Sequence, residues 1–180
     1  HLISMLAAGH ETTATAMTFF WELVTRHPPV AEALYQEVDE VLQGGPPTAS
    51  SHASLSYTMQ ILQETIRLFP PAWQYGRRAV QDDVIGGFHI PAKSIVMLSP
   101  YLTHRYEAFW PQPEAFDPDR FKAEAIKKRP RYAHFPFGGG PRQCIGMGMA
   151  LFEIPLMVAC LARRFQIHRI HPDPSAVRAH

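Results

Sequence analysis

Phe137-Gly138-Gly139-Gly140-Pro141-Arg142-Gln143-Cys144-Ile145-Gly146 is the most constrained segment of the chain. Three consecutive glycines permit backbone shapes that side chains forbid, so the loop can approach a flat ligand with its main chain. Cys144 falls where the loop ends and an apolar helical run, 145–164, begins. The positive end of a helix favours an anionic sulfur, and a thiolate is a metal ligand. Arg142, two residues earlier, can meet an anion on the same ligand. A phosphate loop would need a following Gly-Lys-Ser/Thr, which is absent. A zinc site would need neighbouring Cys or His ligands, and no such pair lies nearby. A plain connector with an inert cysteine stays open at this level.

The spelling F-x-x-G-x-R-x-C-x-G, carried by Phe137, Gly140, Arg142, Cys144 and Gly146, resembles the haem-binding signature of the cytochrome P450 superfamily of haem-thiolate monooxygenases. The resemblance implies haem b bound through the Cys144 thiolate, with Phe137, Gly138, Ile145 and Gly146 against the cofactor and Arg142 on a propionate. In the helix that follows, Met149, Phe152, Leu156 and Ala159-Cys160 are expected to form the buried face. Pro155 should kink that helix. Cys160 is read as a buried spectator.

Upstream of the loop, Phe109–Phe121 is rich in proline and aromatic residues. Pro118-Asp119-Arg120-Phe121 resembles the family's P-x-R-F motif. The basic run Lys127, Lys128, Arg129 and Arg131 reads either as a solvated face or as a docking face for an acidic electron donor. His104-Arg105-Tyr106-Glu107 replaces the family's usual His-Arg-Asp-Pro, and His104 could lie near the haem edge. Farther back, 79–90 with its Gly86-Gly87 turn reads as a β-hairpin, and 94–98 as a further strand. The resemblance implies that an arginine just before this hairpin reaches a propionate, with Arg77 favoured over Arg78. Lys93 stands where the family usually has glycine, so positive φ is expected there.

Helical periodicity returns at 55–68 and stops before Pro70-Pro71. Glu64 and Arg67, three residues apart, share one face. As an exposed pair they would contribute little. They match the family's E-x-x-R motif, in which a buried pair is joined by a third residue, here Arg120, and plays a structural part. Residues 30–42 alternate apolar and charged positions as a surface helix does, and 48–56 reads as a polar loop.

The first helix spans 1–27, with apolar residues at Leu2, Met5, Leu6, Met17, Phe20, Trp21 and Val24. Pro28-Pro29 ends it. Gly9 and the pair Thr12-Thr13 weaken it in the middle. Taken alone, this is a helix with ordinary Thr back-bonding. The spelling Ala8-Gly9-His10-Glu11-Thr12 resembles the family's oxygen-binding groove. That implies small residues Ala8 and Gly9 lining the groove, with Thr12 and Glu11 delivering protons.

The 180 residues are 46% hydrophobic and 18% charged with a net charge of +1, which suits one soluble globular unit and gives no bulk attraction to nucleic acid. Two cysteines make no disulfide framework. No apolar run reaches membrane-spanning length. The start at His1 inside a helix, without Met, reads as a fragment cut at both ends.

Four motifs in the family's order imply a mainly α fold with small β-sheets, the C-terminal part of a cytochrome P450 catalytic domain. The implied activity inserts one oxygen atom of O2 into a small apolar substrate, with electrons from ferredoxin or a flavin reductase. Two other readings share the motifs: a haem-thiolate binding or sensor protein without turnover, and a peroxide-driven oxygenase. The intact Glu11-Thr12 pair argues against the first. Compact loops favour a bacterial-type cytoplasmic protein, and a microsomal anchor upstream stays open.

Overall fold

In the computed structural model, residues 2–170 are described. Four helices hold the core. α1 (Leu2–Arg26) buries Ala16, Phe19, Phe20, Leu23 and Val24, at the i, i+3, i+4, i+7 and i+8 positions of one apolar stripe. It stops because His27 precedes a proline and leaves the helical region, with φ −124° and ψ 82°. Pro28 and Pro29 then open α2 (Pro28–Leu42), where a missing N–H costs nothing. This helix is less of a surface element than its charged positions suggest: Leu34, Val38 and Leu42 are buried.

α3 (Ser56–Leu68) runs through the centre. Leu55 stands at its N-cap and has no oxygen to offer there. The cap comes from α2 instead. The Glu37 carboxylate accepts from Tyr57 N at 2.6 Å and from Thr58 N at 2.8 Å, a favourable place for an anion at a helix N-terminus. A short 3-10 turn, Ser51–Ser54, breaks the expected polar loop.

α6 (Met147–Ala162) completes the core, and here the sequence reading is corrected. Its buried residues are Ile154, Pro155, Val158, Ala159 and Ala162. Met149 is 69% exposed, Phe152 is exposed, and so is Cys160. The helix is apolar nearly all round, so periodicity could not say which side faces inward. The helix continues through Pro155. Proline lacks the N–H that would bond the Leu151 carbonyl four residues back. His52 Nε2, on the 3-10 turn, sits 3.0 Å from that oxygen and takes the missing donor's place.

Two small antiparallel sheets lie beside the helices. β1 (Tyr75–Arg78) pairs with β4 (Ile95–Leu98), so Arg77 and Arg78 lie on a strand that periodicity did not reveal. β2 (Asp83–Ile85) and β3 (Phe88–Ile90) form the hairpin. Gly86 and Gly87 both have positive φ, 58° and 85°, as the tight hairpin turn requires. Lys93 takes φ 71°, a left-handed conformation that a side chain resists.

The segment between β4 and the cysteine loop contains α4 (Pro100–Thr103), a 3-10 turn at Pro118–Phe121 and α5 (Ala123–Lys128). With so little regular structure it is held by side chains. Buried Trp110 donates from Nε1 to the Ala133 carbonyl at 3.1 Å. Arg129 lies over the Trp110 ring at 4.0 Å and the Phe121 ring at 4.6 Å, and donates to the Arg120 carbonyl. Arg129 therefore leaves the expected basic face. Burial lowers its pKa to about 10.

Candidate active site

A cleft of about 340 Å³ opens between α1, β1, the cysteine loop and the start of α6. Ala8, Thr12, Thr13 and Ala16 line one wall, spaced along a single helix face. Phe137, Gly138, Arg142 and Cys144 line the facing wall, from the loop more than a hundred residues later. Leu62, Ile66, Ala150, Leu151 and Ile154 supply further apolar surface, and Tyr75 and Arg77 also line the cleft.

The loop's shape depends on its glycines at two points. Gly138 has φ 71°, a conformation disfavoured for any residue with a Cβ. Gly139 is forced by space: a Cβ there would stand 2.8 Å from the Tyr132 ring. The loop then folds back on itself. Gly138 N donates to the Phe135 carbonyl at 2.9 Å, and Cys144 N donates to the Phe137 carbonyl at 2.9 Å. Cys144 is exposed to the cleft. The helix proper begins only at Met147, with Gly146 as its N-cap, two residues later than the sequence suggested.

These residues fit a haem. Among the described residues no cluster of three His, Cys, Asp or Glu side chains is placed to hold a metal ion. Cys144 offers a sulfur ligand on the cleft wall. The walls are mostly apolar, while Arg77 and Arg142 offer guanidinium groups for carboxylates. The structure separates the two candidate arginines. Arg77 is half-buried, lines the cleft and lies 4.8 Å over the Tyr75 ring, whereas Arg78 points out to solvent.

Not every residue singled out in the sequence reaches the cleft. Gly9 and Glu11 are exposed on α1 outside its lining, which takes Ala8, Thr12, Thr13 and Ala16 from one side of the helix. Ile145 is 96% exposed. Gly146 adjoins Cys144 but does not line the cleft. Thr12 Oγ1 donates to the Ala8 carbonyl at 2.6 Å. Of the residues missed, Ala16 follows from Thr12 at i+4, and Thr13 from Ala16 at i−3, whereas Tyr75 falls beside Arg77 only once β1 is known to be a strand. Leu62, Ile66, Pro71 and Ala150 carried no local signal.

Beneath the loop lies a buried ionic centre. Arg67 meets Glu64 through Nε at 2.6 Å and Nη2 at 2.8 Å, with both side chains fully buried. The rest of the guanidinium donates to the carbonyls of His104, Pro113 and Ala115. Asp117 N donates to Glu64 at 3.0 Å, and Arg120 Nε stands 3.5 Å from the same carboxylate. Burial pushes the Glu64 carboxyl up, against the opposing pull of Arg67, the Asp117 N–H and Arg120. His104 belongs to this centre and not to a cofactor edge: it is fully buried, bonded to Arg67 O and Phe135 N. Desolvation lowers its pKa to about 3 and holds that of neighbouring His134 well below the usual value.

A family profile described as Cytochrome P450 matches residues 1–176. Cyclooctatin synthase of Streptomyces melanosporofaciens is 42% identical over 178 residues, covering 96% of this chain and 39% of that protein. Cyclooctat-9-en-7-ol 5-monooxygenase of the same organism is 37% identical, covering 96% of this chain and 37% of its own length. Thromboxane-A synthase of Rattus norvegicus is 36% identical over 163 residues, covering 89% of this chain and 31% of that protein. The chain thus spans less than half the length of the curated relatives it matches.

Proposed function

Because the chain belongs to the cytochrome P450 family, we propose that it forms the C-terminal portion of a single catalytic domain, a haem-thiolate monooxygenase acting on a small apolar substrate. One observation carries this reading. The cleft joins Cys144, Arg142 and Arg77 on one side to Ala8 and Thr12 on the other.

When bound, a thiolate-ligated haem supplies oxygen activation, because thiolate donation favours O–O cleavage. The chain's own residues do the rest. Cys144 would present its sulfur to the haem iron, and its backbone N–H donates to the Phe137 carbonyl. Arg142 and Arg77 orient the cofactor through its carboxylates. Phe137 and Gly138, on the cleft wall, would contact the cofactor, with Ile145 and Gly146 next to Cys144 in the chain. Ala8, beside Gly9, leaves room above it. Thr12 holds a proton at Oγ1 on the cleft wall, and Glu11, on the exposed face next to it, passes protons in from solvent. Glu64, Arg67 and Arg120 keep the loop in place from below.

One oxygen atom enters the substrate and the other leaves as water, with electrons from a ferredoxin or flavin reductase. Exposed Lys127, Lys128 and Arg131 form the basic face for an acidic donor. No helix among the described residues is long and apolar enough to cross a membrane. Two relatives from Streptomyces support a bacterial-type assignment, with which a cytoplasmic location is proposed.

The test is Cys144→Ser in the full-length protein. The reduced carbonyl complex should lose the red-shifted Soret band that marks thiolate ligation. A variant that keeps this band at full haem content would overturn the assignment.

A further inference from the structure

We propose that His104 is a positioning residue for the cysteine loop, its ring coupling the carbonyl of Arg67 to the N–H of Phe135. The inference rests on the proposed haem-thiolate reading. His104 lies forty residues before Cys144 and belongs to neither the cleft nor the E-x-x-R pair, yet it touches the structures that carry both.

The hydrogen bonds fix the state of the ring. The Phe135 backbone N–H can only donate, so His104 Nε2, 3.0 Å away, accepts. The other ring nitrogen, Nδ1, lies 3.2 Å from the Arg67 carbonyl, which can only accept, so Nδ1 carries the proton. The ring is neutral and in one tautomer, as its full burial also favours. It has little room to turn: His134, Phe135 and Trp110 surround it, with ring centroids 4.8, 5.4 and 6.4 Å away. Its own carbonyl accepts from Arg67 Nη1 at 2.8 Å, so side chain and backbone are both tied to α3.

From Phe135 the connection to the sulfur is short. The Phe135 carbonyl accepts from Gly138 N, and the Phe137 carbonyl accepts from Cys144 N, each at 2.9 Å. Among the described residues the Phe135 N–H has no acceptor other than His104. The ring therefore sets the point from which the loop turns, and the turn sets the direction of the Cys144 side chain.

Two amide variants of the full-length haem protein separate this role from a merely structural one. Glutamine at 104 can place an oxygen near the position of Nε2 and still accept from Phe135 N, while losing the bond to Arg67 O. Asparagine is shorter: it can donate near the position of Nδ1 but does not reach Phe135. Each variant gives up one hydrogen bond at the same buried site, so a structural role predicts similar melts and similar spectra. A positioning role predicts that His104→Gln keeps the red-shifted carbonyl band. In His104→Asn the ratio of red-shifted to blue-shifted complex should fall about tenfold at equal haem content, the fold-change of one buried hydrogen bond. Equal ratios in the two variants would overturn the inference. Hydrogen exchange on the wild-type protein gives a reading that needs no variant. The Phe135 amide should be protected as strongly as the amides of α3, and rapid exchange there would overturn the inference too. Absence of the red-shifted band from the wild-type protein would instead remove the thiolate reading, and this inference with it.

Discussion

Replacing Glu64 with alanine removes the carboxylate that faces a fully buried guanidinium. Arg67 would keep its three carbonyl acceptors, from His104, Pro113 and Ala115, but lose both charge-assisted bonds. A water entering the space left by the side chain could accept from Arg67 but would not supply the lost charge. Asp117 N loses its acceptor as well, and Arg120 its nearest buried anion. Taking one partner from a buried ion pair costs about 3–5 kcal/mol. Set against a net stability of about 5–15 kcal/mol, this removes a third or more of the margin in most cases. The assay is denaturant unfolding of the full-length protein, with haem loss followed in parallel. Glu64→Ala should unfold at markedly lower denaturant and release haem early. Glu64→Gln, which keeps the shape and an acceptor but not the charge, should fall between it and wild type. A Glu64→Ala variant within about 1 kcal/mol of wild type, inside the range of an exposed pair, would refute the reasoning.

Two further outcomes are open to direct measurement. Thr12→Ala should keep haem while diverting electrons from product to hydrogen peroxide. The fall in coupling should be on the order of a hundredfold or more, given what a positioned proton-transfer group contributes, and unchanged coupling would remove Thr12 from proton delivery. The pH dependence of stability should carry a signature of His104. Its pKa falls from 6.5 to about 3 on folding, so between those values the unfolded chain holds the extra proton and stability declines as pH falls. The decline from His104 alone should be about 1.5 kcal/mol between pH 6.5 and pH 5. His104→Gln should flatten the unfolding profile by that amount, and an unchanged slope would contradict a neutral buried ring.

Much of the fold was legible because its signals are local. Helical spacing marked 55–68, paired glycines marked the hairpin, and Pro28-Pro29 marked the break between the first two helices. The left-handed Lys93 was expected from the family resemblance, which puts a glycine at that position. β1 was not legible, since Tyr75–Arg78 becomes a strand only by pairing with β4 some twenty residues later. The inward face of α6 was not legible either. A helix that is apolar nearly all round has no polar side to orient it, so its neighbours decide which residues are buried.

The same division runs through the candidate site. Sequence alone marked the candidate groups: a cysteine after a glycine-rich loop, an arginine two residues before it, a Glu–Arg pair one helical turn apart, and a small-residue helix segment ending in threonine. These depend on residue type and short spacing, which a chain carries before it folds. Tertiary structure decided which of them meet. It turned Thr12 towards the cleft and Glu11 away from it, chose Arg77 over Arg78 by strand alternation, drew Arg129 off the basic face onto Trp110, and buried His104 between Arg67 and Phe135. The physical reason is that burial and long-range hydrogen bonds belong to pairs of segments. No periodicity within one segment can encode the partner that lies forty or a hundred residues away.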